Sequence, residues 1–472
     1  MIIDQVKILF INILLALFTI FPQHTLSIGL TNQPQSLLPH EVQTDTEKTI
    51  SNLLFRKLFK YEEGKLVNDL VEKWTVNENN TEYVFKIKPN QRWQDGNLIT
   101  TDDVLYSLTM QNDLKNEIDI EKISQSEIKI TLQTSTAILP TVLIFGIEPS
   151  HLRNQDKLKP VGSTSFRISK ISKEQNKIQS ITLQSFQKNK PYNRVKFSFY
   201  ETDNDLQAAY KLGEISAFLS NTLFEYPGIS RQSVTFAGRY FALIFNNQSE
   251  KLQDPEIRKI LSSSINKTEL LTRSYYANST IANGPISNSI YSKLSTSEEV
   301  NSETANQKFN ATQKKLINSL KILLPNNPDG RQIETYLKST WEKNLEVQLE
   351  FEYLSLDEMV SKSKDGKFDV MFIGHEVTPD PDRYSFWHST QINILNLGKF
   401  SDLRAAKALE EGRKAWDETE RSKHYNIFQD VIETKIPAIF LYHPGSYLYT
   451  SQKTPLSVPK LLYYPSEIIK NL

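Results

Sequence analysis

The stretch from residue 66 to residue 108, LVNDLVEKWTVNENNTEYVFKIKPNQRWQDGNLITTDDVLYSL, constrains the fold more than any other, because each local signal in it agrees with the next. Residues 72–76 read as a short extended run around Trp74, and the Asn-rich segment 77–80 tolerates left-handed backbone, so the chain turns there. Residues 81–87 then alternate, with Tyr83, Phe85 and Ile87 on one face and Glu82, Val84 and Lys86 on the other, the pattern of a strand with one buried side. Asp95-Gly96 makes a second turn. Thr100 stands where a helix N-cap is needed, with Asp103 three residues on; this approximates a capping box and places two carboxylates at the positive end of a helix predicted over 102–111. The stretch is therefore a hairpin followed by a capped helix.

At 472 residues, with 39% hydrophobic and 23% charged side chains, the chain can bury the cores of about two or three ordinary domains. The 55 basic residues balance 55 acidic ones, which argues against nucleic acid as a partner. Cysteine is absent, which excludes disulfides, thiolate metal ligands, a cysteine nucleophile and a lipid anchor on an amino-terminal cysteine. Lys7 precedes an apolar run at 8–21, interrupted only by Asn12 and Thr19 and shorter than the roughly 20 residues a membrane span needs. Residues 1–27 are read as a signal peptide or an amino-terminal anchor of an exported protein, with Thr25-Leu26-Ser27 the best small-residue site before Ile28.

In chain order, 26–30 reads as a first strand, 31–40 as a loop and 50–61 as an amphipathic helix carrying Leu53, Leu54, Leu58 and Phe59. Another strand is predicted at 128–132. A strand at 195–200, a helix over 203–212 closed by Gly213, and an apolar run at 215–219 make a βαβ unit, whose strands should be parallel and whose crossover right-handed. Residues 239–247 form a strand ending in two Asn, and Asp254-Pro255 starts a helix. The Ser/Asn/Thr/Glu-rich segment 287–310 reads as a surface loop. Beyond it come a helix at 331–343, a strand at 345–353, a helix at 356–364 and a strand at 368–373, the two strands parallel; helices follow at 403–416 and 418–435, and a short strand at 438–442. Crossings near Asn246 and Pro437 would divide the chain into a first lobe at 28–245, with 50–160 as an inserted subdomain, a second lobe at 246–437 and a return at 438–472. Two lobes with two crossings make a hinged clamp.

Open parallel sheets bind ligands beyond the carboxyl ends of their strands, which singles out the loop at 374–389, GHEVTPDPDRYSFWHS. Asp380-Pro381-Asp382 either presents carboxylates to a ligand amine or forms a turn. Trp387 either stacks on a ligand or packs beneath the loop. His375 and His388 are the one histidine pair that this cleft can bring together. Trp93 belongs to the core or to the cleft rim, and Thr31 and Asn32 either contact ligand or cap the first strand. No P-loop, dinucleotide fingerprint, HExxH, G-x-S-x-G or zinc spacing occurs, so the chain reads as a binding protein rather than an enzyme.

The series W-x-V through Y-x-F-x-I-x-P, W-x-D-G and T-x-D-D-V-x-Y-S-L in the first stretch resembles the extracytoplasmic solute-binding proteins of oligopeptide and dipeptide ABC importers, family 5. The segment PVGSTSFRISKI at 160–171, the GEISA at 213–217, the DPEIRKILSSSINKTELL at 254–271 and the FDVMFIGHEVTPDPDRYSFWHS at 368–389 are similar to further segments of that family, so the likeness runs from about 28 to 447. It implies an α/β, two-lobed clamp of the periplasmic-binding-protein type with an extra subdomain in the first lobe. It further implies a peptide-like or other small solute, an ABC permease as partner, a monomer and no cofactor. In peptide binders of this kind a loop aspartate pairs with the ligand's amino terminus; the nearest positions here are Glu376 and Thr378. The ligand-facing set expected from this likeness is Thr31, Asn32, Trp93, Tyr240, Asn246, Gly374, His375, Glu376, Thr378, Asp380, Tyr384 and Trp387. The alternative in another class is a membrane-tethered receptor, and among binding proteins one for a metal chelate or sugar.

Overall fold

The computed structural model describes residues 25–111, 118–187, 192–272, 278–287, 289–293, 309, 311–452, 454, 456–459 and 462–469. Most of the predicted loop at 287–310 lies outside them. The strand Thr25–Thr31 is the centre of the first sheet: it pairs in parallel with Arg194–Tyr200 on one side and Ala217–Ser220 on the other. Between those two runs the crossover helix Asp203–Lys211, started by a Thr202/Asp205 capping box, so the predicted βαβ unit straddles the first strand. Lys177–Ser185 and Phe166–Glu174 extend one edge and Gly445–Ser451 and Ile229–Thr235 the other, giving seven strands. The first strand begins at Thr25, and Leu26 is fully buried opposite Val195. A leader ending after Ser27 would remove three paired residues of this strand.

The predicted helix at 50–61 is instead Asp45–Leu54, opened by a Thr44/Glu47 capping box. It stops because the Leu54 carbonyl is taken by the amides of Ser163 and Thr164 and Phe55 turns extended. Leu58 and Phe59 stay buried but outside the helix, Phe59 opening a following strand, Phe59–Glu62, paired with Lys65–Asn68. The opening stretch folds as expected: Val71–Val76 and Glu82–Ile87 join Glu127–Leu132 and Ile118–Lys122 in a four-stranded sheet, and the helix Thr101–Thr109 carries the Thr100/Asp103 box. One hydrophobic core runs from Leu26 and Ile28 through Tyr83, Phe85, Trp93 and Ile130 to Phe197 and Leu448. The four-stranded sheet and the seven-stranded sheet are thus one body.

The second body is built on six strands in the order Thr280–Ile281, Ala438–His443, Arg239–Phe245, Val370–Glu376, Ser319–Pro325 and Gln348–Leu354. The strands predicted at 345–353 and 368–373 are parallel, but through Ser319–Pro325, which lies between them and which the sequence reading leaves unassigned. Arg239–Phe245 is antiparallel to both of its neighbours, so the sheet is mixed. Helices Leu403–Lys414 and Glu418–Lys435 cover one face, burying Leu409, Tyr425 and Phe428 against Tyr240, Ala242 and Phe440. Since both Arg239–Phe245 and Ala438–His443 belong to this sheet, the chain changes sheets at 236–238 and 443–445, not near Asn246 and Pro437. Glycine marks both places: a Cβ on Gly238 would lie 2.6 Å from the Tyr463 carbonyl oxygen, and one on Gly445 2.0 Å from that of Asn278. Among the described residues no helix is long and apolar enough to cross a membrane.

Candidate functional site

The two bodies face each other across a seam whose floor is set by the helix Asp45–Leu54. Its capping box fixes the first turn, so Asp45 and Lys48 project from one face. Opposite them stand Arg239 and Glu376, which are register partners at the crossing end of their strands. The Arg239 fork takes both Asp45 oxygens, at 2.7 Å from Nη1 to Oδ2. Lys48 Nζ lies 2.7 and 3.0 Å from the Glu376 oxygens, and Arg239 Nη2 is 4.0 Å from Glu376. Each pair has one member on each body, and all four side chains keep between 28% and 44% of their surface exposed.

Two tyrosines back this floor. Burial, reinforced by the nearby Glu376 carboxylate, pushes the Tyr464 hydroxyl well above its ordinary pKa. Burial does the same to Tyr61, which also feels Asp380, Arg421 and Thr378 of the second body. Both therefore remain neutral hydroxyls at the seam. Beside them a cavity of about 540 Å³ opens into the first body, lined also by Asn52, Arg56, Lys60, Ser165 and Glu467.

The strand before the predicted loop runs on to Glu376, so Gly374 and His375 are strand residues. Gly374 has no room for a side chain, since a Cβ would lie 2.9 Å from the Phe241 ring. His375 is buried, stacked on Phe386 with its Nδ1 2.8 Å from the Tyr240 hydroxyl, and burial pushes its pKa down to about 3. Tyr240 is likewise buried. Asp380 gives both oxygens to Arg421 at 2.9 and 3.0 Å, and Asp382 accepts from the Tyr384 amide beside Arg413. Arg383 donates to the carbonyls of Pro285, Asp380 and Asp382. The Asp-Pro-Asp segment is thus an anchor that fastens the loop, and its carboxylates are not offered to the seam.

His388 stacks on Tyr384 and approaches Glu410 at 3.1 Å, and Tyr384 lies under the Arg413 guanidinium with its hydroxyl on Thr390. Trp387 is core, packed on Phe400 and Phe440. Trp93 is core too, its Nε1 donating to Asp103. Asn246 binds the carbonyls of Gly366 and Phe368 at the far end of its sheet. Asn32 lines a separate groove of the first body with Gln33 and Lys177. Of the expected set, Glu376 and Thr378 border the seam, while Thr31 is tied to the floor helix, its carbonyl accepting from the Thr46 hydroxyl beside Asp45. Asp45, Lys48, Tyr61, Arg239 and Tyr464 were not expected. The T-D-T-E at 44–47 was the available signal for the first two, because it starts the helix at Asp45.

Among the described residues no group of three or more His, Cys, Asp or Glu side chains stands where it can hold a metal ion.

Two α/β bodies that share two crossings and meet through opposed charges are the architecture of a hinged binding clamp. The chain belongs to the bacterial extracellular solute-binding proteins, family 5, whose middle-region model matches residues 65–393. It is 23% identical over 504 aligned positions to the oligopeptide-binding protein AppA of Bacillus subtilis, covering 95% of this chain and 90% of the relative. The structure of that AppA in complex with a nonapeptide superposes with a TM-score of 0.73 at 20% identity, covering 94% of this chain and 98% of the other. NikZ from Campylobacter jejuni, in complex with Ni(L-His), gives 0.72 at 22% identity over 94% and 96%. These likenesses establish a common fold.

Proposed function

We propose that this chain is the extracytoplasmic capture component of an ABC importer, closing its seam over a peptide-like solute and presenting it to a membrane permease. The observation that carries the reading is the quartet Asp45, Arg239, Lys48 and Glu376, two cations and two anions paired body to body. A zwitterion entering the seam meets a partner for each end: its carboxylate competes for Arg239 or Lys48, its ammonium for Asp45 or Glu376. Exchange of one ion pair for another keeps the desolvation cost low, and main-chain hydrogen bonds and retained water supply the rest of the affinity. The cavity beside Tyr61 and Tyr464 gives a solute side chain room inside the first body. No covalent step is needed; binding selects the closed arrangement, and the closed monomer is what the permease receives. AppA of Bacillus subtilis with its nonapeptide and DppA from Helicobacter pylori with the peptide STSA support a peptide solute.

Native mass spectrometry of protein lacking residues 1–24 and purified without denaturation tests this. A ladder of adducts at short-peptide masses is the expected result. A single non-peptide mass, such as a metal chelate, overturns the peptide assignment while keeping the clamp. Glu376→Gln with Arg239→Gln should strip the adduct, and retention in that variant would remove the quartet from the site.

A further inference from the structure

We propose that the corner between the two long helices, residues 415–417, is a latch that sets how far the clamp rests closed before solute arrives, with Trp416 as its positioning residue; this rests on the reading of the two bodies as a clamp. The helix Leu403–Lys414 ends there, and the last carbonyls of a helix have no partner of their own. Here the other body supplies them. The Ala137 amide donates to the Arg413 carbonyl at 2.6 Å, the Thr136 hydroxyl to the same oxygen at 3.3 Å, and the Asn80 side chain to the Lys414 carbonyl at 3.0 Å. Trp416 completes the contact: its Nε1 donates to Asn80 Oδ1 at 2.6 Å, and its ring lies 5.3 Å from Trp74 and 6.2 Å from Tyr83, centroid to centroid.

The receiving side is built in advance. Asn80 holds a left-handed φ of 53°, Thr136 donates its amide to the Asn80 carbonyl, and the Tyr83 hydroxyl bonds the Thr136 carbonyl. Tyr83 belongs to the core of the first body, while the helices that carry the corner are packed into the core of the second by Leu409 and Tyr425. Trp416 itself remains 44% exposed, its ring resting on the edge of the first body's core at Trp74 and Tyr83. The contact touches none of the quartet on the floor, so its strength fixes the closed fraction without regard to which solute binds. Apparent affinity scales with that fraction, so the latch adjusts affinity for every solute by one common factor.

The chain has no cysteine, so spin labels can be placed at will. Glu121→Cys and Lys423→Cys mark exposed positions on the two bodies. Pulsed electron resonance on the labelled protein should give one short distance without solute. Trp416→Ala and, separately, Asn80→Ala should each add a longer population, a roughly tenfold fall in the closed-to-open ratio, with Trp416→Phe in between and circular dichroism unchanged. A tryptic peptide pool added to each variant should restore the short distance, at a higher concentration than the parent needs. Identical distributions in the parent and both alanine variants overturn the latch, and if peptides still shorten the distance the clamp survives it. A parent already at the long distance without peptides also overturns it, and no response of any variant to peptides removes the clamp reading as well.

Discussion

Arg421 reaches from the helix Glu418–Lys435 to both oxygens of Asp380, with Arg383 bonded to the carbonyls of Asp380 and Asp382, so two guanidiniums hold the shape of the loop that borders the seam. Arg421→Ala would strand a buried carboxylate and should lower the urea-unfolding free energy by about 3–5 kcal/mol. Arg421→Lys should recover part of this, since a point charge cannot match two oxygens at once; full stability of the alanine variant would deny the loop its anchor. His375 gives a second residue-level prediction. Its folded pKa is pushed down to about 3 by burial from an ordinary 6.5, so below 6.5 the unfolded chain takes a proton that the folded one refuses. Stability is then complete above 6.5 and falls on acidification by about 1.4 kcal/mol per pH unit until the folded value is reached. His375→Gln should flatten the pH dependence by that slope in urea titrations at pH 7, 6 and 5; equal slopes would place the acid sensitivity elsewhere. His40 has the opposite sign: its hydrogen bond to buried Glu148 raises its pKa, so its contribution is present below 6.5 and lost as pH rises through the raised value. Sequence alone places the Asp-Pro-Asp segment and His375 in the right neighbourhood but not the right direction, because facing inward depends on partners far along the chain, Arg421 for Asp380 and Tyr240 for His375.

At the scale of single elements, two capping boxes of the same kind fared differently. Thr100/Asp103 is flanked by turns that isolate its helix, and it is legible. Thr44/Glu47 opens a helix whose apolar spacing continues past its end through Leu58 and Phe59, so periodicity alone carries the helix too far. The strand Ser319–Pro325 is a short apolar run of the kind that periodicity cannot tell from a buried helix segment. Glu47 also shows what such a cap can hold: it accepts from the amides of Gln35, Ser36, Gln43 and Thr44 and ties the loop after the first strand to the helix bearing Asp45 and Lys48. Glu47→Ala should cost about 2–4 kcal/mol in urea unfolding, since four amides, buried or part-buried, lose one charged acceptor; a loss under about 0.5 kcal/mol would mean the loop finds other partners. The first strand makes a related test. Protein starting at Ile28 lacks buried Leu26 and three register pairs, and should be less stable than protein starting at Thr25 by at least the roughly 1.5–3 kcal/mol of one buried leucine. Equal melting temperatures would show that the first strand does not need them.

For the molecule as a whole, the clamp follows from the resemblance and from alternating elements, whereas the position of its crossings does not. An apolar strand such as Arg239–Phe245 reads the same whichever sheet it joins, and only pairing with Val370–Glu376 and Ala438–His443 assigns it. That assignment has an energetic consequence. Among the described residues, the apolar clusters of the first body and those of the second share no member. The floor of the seam is held by ion pairs exposed enough to be worth only about 0–1 kcal/mol each. With the hydrogen bonds and ring contacts of the 415–417 corner added, coupling between the bodies is still small compared with the stability of either, and calorimetry without solute should resolve two overlapping transitions. A solute that bridges the floor adds about 2.7 kcal/mol at a hundredfold excess over its Kd, and only while both bodies are folded. It should raise the lower transition towards the upper one until they merge, with calorimetric and van't Hoff enthalpies converging. A single two-state transition in the absence of solute would mean that the bodies are coupled by more than the floor ion pairs and the 415–417 corner can supply. A solute that carries one transition past the other, or away from it, with the two never merging would bind one body alone, outside the seam.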